Sequence, residues 1–376
     1  MREGAAARRE RVLDAVRARG EVRVTALAQE LDVSVVTLRR DVEELARRGL
    51  LKRGHGVARS PSPVPEGGAE PVVDADAPAV GLIVPEHHAY LFEAVRGARA
   101  ALEAAGVRMA LHIARHHPGA ERSMAEQAVR QGARGLLVAP RWRTAEAATL
   151  DEGWLAELSV PAVLMERRPG PGSPLHAHDS VCSDHGYGAH LALDHLISLG
   201  HRRIVLAARD DSPTARSLRA AFAQIAAGRP EVEEWAVVLT AGSAAGSAPD
   251  PTRQPGLDGE AASLVDLRAV LRAHRATAAV LHADVDALML VQQLREGGVR
   301  VPEDCSVVAY DDVVAALGSP PLTAVAPPKE EIGRAAAELL LRRLERPRTA
   351  APEAVRRIEL LPRLKVRGSA VEAPAG

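Results

Sequence analysis

The 376-residue sequence has few aromatic residues, only two cysteines and no long apolar run. Without about 20 consecutive apolar residues, no segment is expected to cross a bilayer as a helix. Cys182 and Cys305 stand far apart, which excludes a disulfide framework and a cysteine-based metal motif. No apolar stretch follows the basic residues of MREGAAARRERV, so we expect no secretory signal, no membrane partner and a cytoplasmic location.

The residues that are present are typical of a globular protein, since 47% are hydrophobic and 26% are charged. At about 150 residues per domain, the length predicts two or three folding units. Residues 1–59 hold 14 Lys and Arg against 9 Asp and Glu, a net charge of +5. The whole chain carries −1, which leaves −6 for the remainder. A basic head on an acidic body indicates that the head meets a polyanion.

Residues 5–53 are predicted to form three helices followed by a small β-ribbon with a Gly-containing tip. Ser34 can cap the third helix. The core face of that helix is predicted to be Leu38, Val42 and Leu45. Two short helices joined by a tight turn are the helix-turn-helix arrangement, which places its second helix in a DNA major groove.

The third helix is the candidate recognition helix, because Val36 and Arg40 point away from the core when Leu38 faces it. Arg40 can bond guanine O6 and N7, while Val36 or the Thr37 methyl can contact thymine methyls. The basic ribbon would bind phosphates, which fixes position rather than sequence preference. The candidate DNA-binding residues are Ser34, Val36, Thr37, Arg39, Arg40, Lys52, Arg53 and His55.

The segment SVVTLRRDV (34–42) resembles the signature of DeoR-family winged-helix regulators. The following GLLKRGHGVA (49–58) resembles the wing of that family, with Val57 where a second Gly would be usual. The resemblance implies a double-stranded DNA operator as partner. The alternative is a winged helix that serves protein contacts, and the exposed Arg39 and Arg40 favour DNA.

Residues 59–78 are rich in Pro, Gly, Ser and Ala and are predicted to form a flexible linker. From Ala79 onward, short apolar runs alternate with helical stretches, which predicts α/β lobes with parallel sheets covered on both faces. The number of units exceeds one sheet, so we expect two lobes and a low-complexity loop at 242–259. The apolar runs are 79–85, 107–113, 135–140, 161–166, 202–208, 235–241, 278–283 and 305–310.

Two such lobes leave a cleft at the carboxyl ends of their strands, where open α/β sheets bind ligands. The loops after the apolar runs are polar, as in Arg141-Trp142, Glu166-Arg167-Arg168 and Asp311-Asp312. Such groups suit a polyhydroxyl ligand, because buried donors and acceptors need partners. No phosphate-loop or nucleophile-elbow motif is present, so we expect no cofactor and no enzymatic activity.

Residues 79–368 resemble the sensor domain of LacI/GalR-type regulators, itself similar to periplasmic sugar-binding proteins. The resemblance is carried by AVGLIVPEHHAYLFEAVRGARAALEAAG, SDHGYGAHLALDHLISLGHRRI and VRVPEDCSVVAYDDV, among others. It implies a small-molecule effector, a sugar or a related polar metabolite. Together with the cleft loops, it gives the candidate ligand-binding residues His87, His88, Tyr90, Phe92, Trp142, Arg167, Asp184, Thr214, Arg216, Asp284 and Asp311.

Two positions depart from that family. Leu218 stands where an Arg is usual, which leaves Arg216 and Arg219 as alternatives, and Asp284-Val285-Asp286 replaces the usual Asn-Asp. The expected domains are a winged helix-turn-helix domain at 1–58, the linker at 59–78 and the periplasmic-binding-protein-like body at 79–368. Within the body, we expect lobe one at about 79–177 and 319–345, lobe two at about 178–312 and 356–368, and a tail at 369–376.

Histidines and acids also cluster in residues 176–195, but those on the predicted helix face different sides, so we expect no metal. The sequence thus predicts a ligand-responsive transcriptional regulator, a repressor that binds DNA as a homodimer. The alternative is a sugar-binding or sugar-processing protein whose head serves protein contacts. Adjacent Asp311 and Asp312 point to opposite faces of an extended chain, so they could not act jointly on one bond.

Overall fold

The computed structural model describes residues 8–9, 11–13, 15–16, 21–31, 33–47, 51–54, 57–59, 79–86, 89–115, 119–240, 265–345 and 353–374. They belong to two compact units, Met1–Asp74 and Ala75–Gly376. The predicted contacts at His55, His87 and His88, the linker beyond Arg59 and the loop at 242–259 lie outside the described residues. Within the described part of the chain, no helix is long and apolar enough to span a membrane.

The N-terminal unit combines helices with a three-stranded antiparallel sheet of order β1-β3-β2. Helical residues within 8–16 precede β1 (Glu21–Arg23), α1 (Val24–Glu30), α2 (Val35–Arg47), β2 (Lys52–Gly54) and β3 (Val57–Arg59). Leu38, Val42 and Leu45 of α2 are buried in the core of this unit, as their helical spacing predicts. The β2–β3 ribbon follows the helices directly, so the predicted winged helix-turn-helix is confirmed.

Two polar contacts fix the start and the middle of α2. Ser34 Oγ accepts a hydrogen bond from the Thr37 backbone N at 3.1 Å, which satisfies one of the free N–H groups at the helix start. Asp41 is buried and accepts from Arg8 Nε at 2.6 Å and from Arg9 Nε at 2.8 Å. This carboxylate ties the first helical segment to α2.

The described strands of the C-terminal unit form two six-stranded sheets, of order β14-β8-β7-β6-β4-β5 and β10-β9-β11-β12-β13-β15. Their pairings are parallel except for β13 with β15. The strands are β4 (Ala79–Pro85), β5 (Arg108–Ala114), β6 (Ala133–Val138), β7 (Ala162–Met165), β8 (Asp179–Ser183), β9 (Arg203–Ala208), β10 (Glu234–Leu239), β11 (Ala278–Leu281), β12 (Ser306–Tyr310), β13 (Thr323–Ala326), β14 (Arg357–Leu360) and β15 (Arg363–Lys365).

Helices cover both faces of these sheets, and the apolar strands are buried between the helices. The helices are α3 (Ala89–Ala104), α4 (Ala120–Arg130), α5 (Ala145–Ala156), α6 (His185–Ser198), α7 (Pro213–Gly228), α8 (Leu267–His274), α9 (Asp284–Glu296) and α10 (Lys329–Glu345). Every residue of β4 is buried, as expected of a central strand in a sheet covered on both faces. The predicted α/β class with parallel sheets is confirmed.

Helices α3 and α10 pack backbone against backbone because each presents a glycine to the other. A Cβ added to Gly97 would lie 1.9 Å from the Glu330 carbonyl oxygen. A Cβ added to Gly333 would lie 1.8 Å from the Ala94 carbonyl oxygen. Any side chain at either position would therefore push the two helices apart.

The predicted boundaries of the two lobes are wrong. Both β8 and β14 pair within the first sheet, whereas β13 belongs to the second. The chain crosses between the sheets three times, which is the number predicted, but the crossings come later than predicted, after β8, after β13 and after β14. The first lobe thus contains β4–β8 and β14 with α3–α5 and α10, and the second contains β9–β13 and β15 with α6–α9.

Residues 369–374 are not a free tail, because they pack on the second lobe. Ser369 is buried, and its Oγ donates to the Val307 carbonyl oxygen at 2.7 Å. The Val371 backbone N donates to Ser306 Oγ at 3.0 Å. These bonds hold the predicted tail against the start of β12, an interior strand of the second sheet.

Candidate functional site

A cavity of about 430 Å³ lies between the two lobes, a size usual for small-molecule sites. Its lining comes from the loops after β4, β6 and β7 of the first lobe and after β9, β11 and β12 of the second. Parallel strands bring their carboxyl ends to one edge of a sheet, so the topology gathers these six loops at one opening.

Four of the predicted ligand residues line this cavity: Tyr90, Arg167, Thr214 and Asp311. Other polar residues of the lining were not among the candidate ligand residues, although each follows an apolar strand directly or within a few residues. Glu86, Arg141 and Glu166 belong to loops that the sequence predicted at the cleft, whereas sequence reasoning missed Arg143, Arg209, Asp211, Ser212, His282 and Asp286 as ligand residues.

Five other predicted ligand residues lie outside the lining, four of them engaged in structural contacts. Phe92 is 60% exposed on α3, and Trp142 is buried in the first lobe. Asp184 caps α6, since its Oδ1 accepts from the Tyr187 backbone N at 2.8 Å. Asp284 Oδ2 accepts from three consecutive backbone N–H groups at 313–315, and Arg216 binds backbone carbonyl oxygens of the first lobe.

Glu166 is held rigidly at the floor of the cavity by three donors. Its Oε1 accepts from Tyr90 Oη at 2.6 Å and from Ser183 Oγ at 2.8 Å. Its Oε2 accepts from the Ser183 backbone N at 3.0 Å. Burial raises the pKa of Tyr90, and the charge of Glu166 raises it further, so the phenol stays a donor. The carboxylate is thus fixed in place before any ligand arrives.

Arg167 follows Glu166 and is also buried. Its Nε donates to the Pro140 carbonyl oxygen, and its Nη1 donates to the Glu166 carbonyl oxygen at 2.7 Å. Burial lowers the pKa of Arg167 to about 10, because desolvation disfavours the charged form. The bond to Pro140 anchors the guanidinium to the loop that follows β6. Arg167 itself lines the cavity.

Across the cavity, Asp311 and His282 carry buried polar atoms without hydrogen-bond partners among the described residues. These atoms are Asp311 Oδ1 and His282 Nδ1, while Asp311 Oδ2 lies 3.8 Å from His282 Nε2. Burial raises the pKa of Asp311 to about 7, and it lowers the pKa of His282 to about 3. Buried polar groups of this kind are stabilised by a ligand or an ordered water that completes their bonding.

Arg209 lies between two carboxylates of the second lobe. It forms a bidentate pair with Asp211 at 2.9 and 3.0 Å, and its Nη1 lies 3.4 Å from Asp286 Oδ2. Burial alone would raise the pKa of Asp211, but Arg209 and Arg143 together lower it to about 2. The charge of Arg209 is therefore already balanced by protein groups.

Several residues at the strand ends adopt left-handed backbone conformations. Trp142 follows β6 with φ of 42°, Glu166 follows β7 with φ of 54°, and Asp311 and Asp312 follow β12 with φ of 93° and 50°. A left-handed φ angle raises the conformational energy of a residue other than glycine. Residues strained in this way occur often at binding sites. The sharp turns keep Glu166 and Asp311 at the cavity instead of continuing the strands.

On the N-terminal unit, Arg39 and Arg40 are exposed on α2, and Ser34 is exposed at its start. Thr37 is partly buried beside Ser34, with the two hydroxyl oxygens 2.8 Å apart. The backbones of Val36, Lys52 and Arg53 occupy α2 and β2, while the structure does not describe their side chains. The first turns of α2 therefore present a guanidinium-bearing surface.

The cluster predicted at 176–195 does not gather around one point. His185 Nδ1 lies 3.1 Å from Tyr310 Oη, and His195 lies ten residues further along α6 with its pKa lowered by burial. Within the described residues, no group of three or more His, Cys, Asp or Glu side chains is arranged to hold a metal ion.

Two segments of the chain match known families. Residues 8–64 match a DeoR-like helix-turn-helix domain, and residues 193–370 match a periplasmic binding protein-like domain. The chain joins a DeoR-like helix-turn-helix domain to a periplasmic-binding-protein-like domain. Both resemblances predicted from the sequence are thereby confirmed. Helix α2 lies in the DeoR-like domain, and the second-lobe residues of the cavity lie in the matched part of the other domain.

Curated relatives and a solved structure are similar to this chain over part or most of its length. The HTH-type transcriptional repressor PurR of Aliivibrio fischeri (strain MJ11) is 31% identical over 217 residues, covering 55% of this chain and 59% of PurR. This chain thus spans less than two thirds of that relative. The arabinose metabolism transcriptional repressor of Geobacillus stearothermophilus is 27% identical over 328 residues, with 85% and 83% covered. A transcriptional regulator CelR–cellobiose complex is 25% identical, with a TM-score of 0.60 and 90% and 91% covered.

Proposed function

We propose that this protein is a transcriptional repressor that binds operator DNA through its DeoR-like domain and a polar small molecule through the cavity. The observation that carries the proposal is that one chain holds both a DeoR-like helix-turn-helix domain and a cavity whose buried Asp311 and His282 atoms lack partners among the described residues. PurR and the arabinose repressor support the repressor role, and the CelR–cellobiose complex supports a sugar-like effector.

Operator binding is assigned to the exposed face of α2 and to the ribbon. Arg40 bonds a guanine edge in the major groove, with Arg39 beside it and with Val36 and Thr37 against thymine methyls. Lys52 and Arg53 bind phosphates, which positions α2 without reading sequence. Double-stranded DNA is therefore the expected partner.

The protein is proposed to act as a homodimer, because helix-turn-helix dimers read two half-sites about one helical turn apart. Exposed apolar side chains on the edge strand β5, Leu111 and Ile113, and Phe92 on α3 support a protein–protein surface on the first lobe. A second copy of the chain is the proposed occupant. Sedimentation of the wild type and of Leu111→Glu tests this, with a monomeric wild type as the contradicting result.

Effector binding is proposed to change DNA affinity by shifting a population. A ligand that contacts both lobes stabilises one arrangement of the lobes over others. If that arrangement alters the spacing of the two DNA-reading helices in the dimer, effector and operator affinities become linked reciprocally. Equal operator affinity with and without a saturating effector would contradict this coupling.

The DNA-binding part is tested by fluorescence anisotropy on DNA from upstream of the protein's own gene. Arg40→Ala should weaken specific binding about 10- to 100-fold, which corresponds to the loss of one bidentate base contact. Arg272→Ala is the matched control, because Arg272 is exposed on α8 of the second lobe and should leave binding unchanged. Equal affinities of the wild type and Arg40→Ala would contradict the assignment of α2.

The sensing part is tested by thermal unfolding of the full chain against sugars, sugar phosphates and nucleosides. A ligand at about 100 times its dissociation constant adds about 2.7 kcal/mol to the free energy of unfolding. The same compound is then added to the operator complex. A compound that stabilises the protein and releases the operator satisfies both parts of the proposal.

A further inference from the structure

Arg167 is a buried cation whose hydrogen bonds go to carbonyl oxygens instead of a carboxylate. The residue is 6% exposed and lines the cavity. A guanidinium buried without a bound counter-ion is costly, since burial removes its hydration. The lowered pKa of Arg167 has desolvation as its largest cause, which agrees with this geometry. An anionic group in the cavity would relieve the cost.

The carboxylates that act on Arg167 through their charge are occupied by other donors. Glu166 accepts from Tyr90 Oη and from the N and Oγ of Ser183. Glu121 accepts from the Arg141 backbone N at 2.9 Å. Within the described residues, neither carboxylate accepts a hydrogen bond from Arg167. The described residues of the first lobe therefore supply charge near Arg167 but no ion-pair partner.

Arg209 shows the opposite arrangement in the second lobe. Asp211 binds it with both carboxylate oxygens, and Asp286 lies 3.4 Å from its Nη1. A ligand anion at Arg209 would have to displace or repel two carboxylates. Of these two arginines in one cavity, Arg167 is the one whose surroundings favour an anion.

Asp311 and His282 define what the rest of the ligand must offer. Asp311 Oδ1 is an acceptor without a partner among the described residues, and His282 Nδ1 is likewise unpartnered there. Hydroxyl groups can donate to the first and either donate to or accept from the second. A ligand that satisfies both lobes thus carries an oxyanion at one end and hydroxyl groups at the other.

We infer that the cavity takes an anionic sugar, whose oxyanion pairs with Arg167 and whose hydroxyl groups bond Asp311 and His282. The inference rests on the proposed function, because it takes the cavity to be the effector site. A sugar carboxylate and a sugar phosphate share the required chemistry. A neutral sugar leaves Arg167 without a counter-ion.

Thermal unfolding and calorimetric titration of the full chain test the inference with three groups of probes. The carboxylate arm is D-gluconate, D-glucuronate and D-galacturonate, and the phosphate arm is glucose 6-phosphate and ribose 5-phosphate. The neutral arm is D-glucose, D-galactose and D-ribose at the same concentrations. We expect at least one anionic probe to stabilise the protein while its neutral parent does not, and the responding arm identifies the anion.

Variants locate the anion within the cavity. Arg167→Gln should weaken binding of the responding probe at least about 30-fold, about 2 kcal/mol, while Arg167→Lys should retain part of the affinity. Arg168→Gln is the matched control, since the neighbouring Arg168 pairs with Glu359 outside the cavity lining and its loss should change affinity less than about twofold. Circular dichroism and the unfolding midpoint confirm that each variant is folded.

Three results would overturn the inference: no stabilisation by any anionic probe, equal binding of neutral parents, or unchanged anion affinity in Arg167→Gln. Operator binding is measured on the same preparations. It shows whether only the inference of an anionic ligand has failed or the proposed function has failed as well. A protein that binds its operator and releases it with a neutral sugar keeps the proposed function and loses only the inference. A protein that binds no operator sequence specifically loses the proposed function itself.

Discussion

Arg143 Nη2 lies 2.9 Å from Asp211 Oδ2 and so joins the loop after β6 of the first lobe to the loop after β9 of the second. Arg216 strengthens the same link, donating to the carbonyl oxygens of Trp142 at 2.7 Å and Arg143 at 2.6 Å. These three bonds join the two lobes beside the cavity, whose lining includes Arg143 and Asp211. They are the contacts that an opening motion of the lobes must break.

Replacing Arg216 should therefore open the cavity. Arg216→Ala removes two charge-assisted hydrogen bonds, each worth about 1.5–3 kcal/mol, so the more open arrangement should gain population at least tenfold. Small-angle scattering of the ligand-free protein should show a larger radius of gyration. Arg219→Ala is the matched control, because Arg219 lies on the same helix and outside the cavity lining. Identical scattering from both variants and the wild type would contradict the link.

Asp311 should make stability depend on pH in a defined direction. Its pKa is about 7 in the folded protein, whereas an unfolded Asp titrates near pH 3.9. The folded state binds the extra proton between these values, so the contribution of Asp311 to stability falls as pH rises from about 4 to 7. Relative to Asp311→Asn, the wild type should lose on the order of 4 kcal/mol across this window, measured by denaturant unfolding.

A second aspartate provides the control for this pH dependence. Asp304 is exposed, and its bonds with Arg300 lower its pKa to about 2. Its contribution is therefore present above the unfolded pKa and is lost only as pH falls toward 2, the opposite sign. Asp304→Asn should leave the profile between pH 5 and 8 parallel to the wild type. Parallel profiles for wild type and Asp311→Asn would contradict the burial of an uncompensated carboxyl.

Much of this fold follows from sequence pattern, because apolar runs such as 79–85 coincide with buried strands. The polar β8, Asp179–Ser183, escaped prediction because its sequence lacks an apolar run. Its place in the first sheet depends on neighbours far along the chain, including Arg343, which pairs with Asp179. Local pattern carries no information on such pairings, which is why the lobe boundaries were wrong.

The candidate site divides in the same way. Asp311 and Arg167 were predicted because they directly follow buried strands, and strand ends converge in a parallel sheet. Asp284 also follows a strand, but its side chain turns to three backbone N–H groups of the next loop. Arg209 is balanced by Asp286, 77 positions away, which only the folded chain reveals. The spacing of residues in the sequence therefore cannot predict which way a side chain points or which distant residue it pairs with.

The glycine contact between α3 and α10 predicts a strongly destabilising substitution. Gly333→Ala would place a methyl group 1.8 Å from the Ala94 carbonyl oxygen, and backbone atoms cannot move aside as a side chain can. Overpacking of this kind typically costs about 1–3 kcal/mol. Gly228→Ala is the control, because a Cβ there has no neighbour within 4 Å among the described residues. Denaturant midpoints of the two variants should differ clearly, and equal midpoints would contradict the packing.

The cap at Ser34 allows stability and DNA contact to be separated. Ser34→Ala leaves the Thr37 N–H without its acceptor and should cost about 1 kcal/mol, whereas Ser34→Gly should cost only a few tenths. Amide hydrogen exchange in the first turn of α2 should therefore be about fivefold faster in Ser34→Ala, with Ser34→Gly close to the wild type. Both variants lack the hydroxyl, so a loss of operator affinity shared by the two indicates that Ser34 contacts DNA. A loss of affinity confined to Ser34→Ala indicates that Ser34 acts only as the helix cap.

The exchange rates test the cap itself. Equal exchange rates in the wild type and both variants would contradict it.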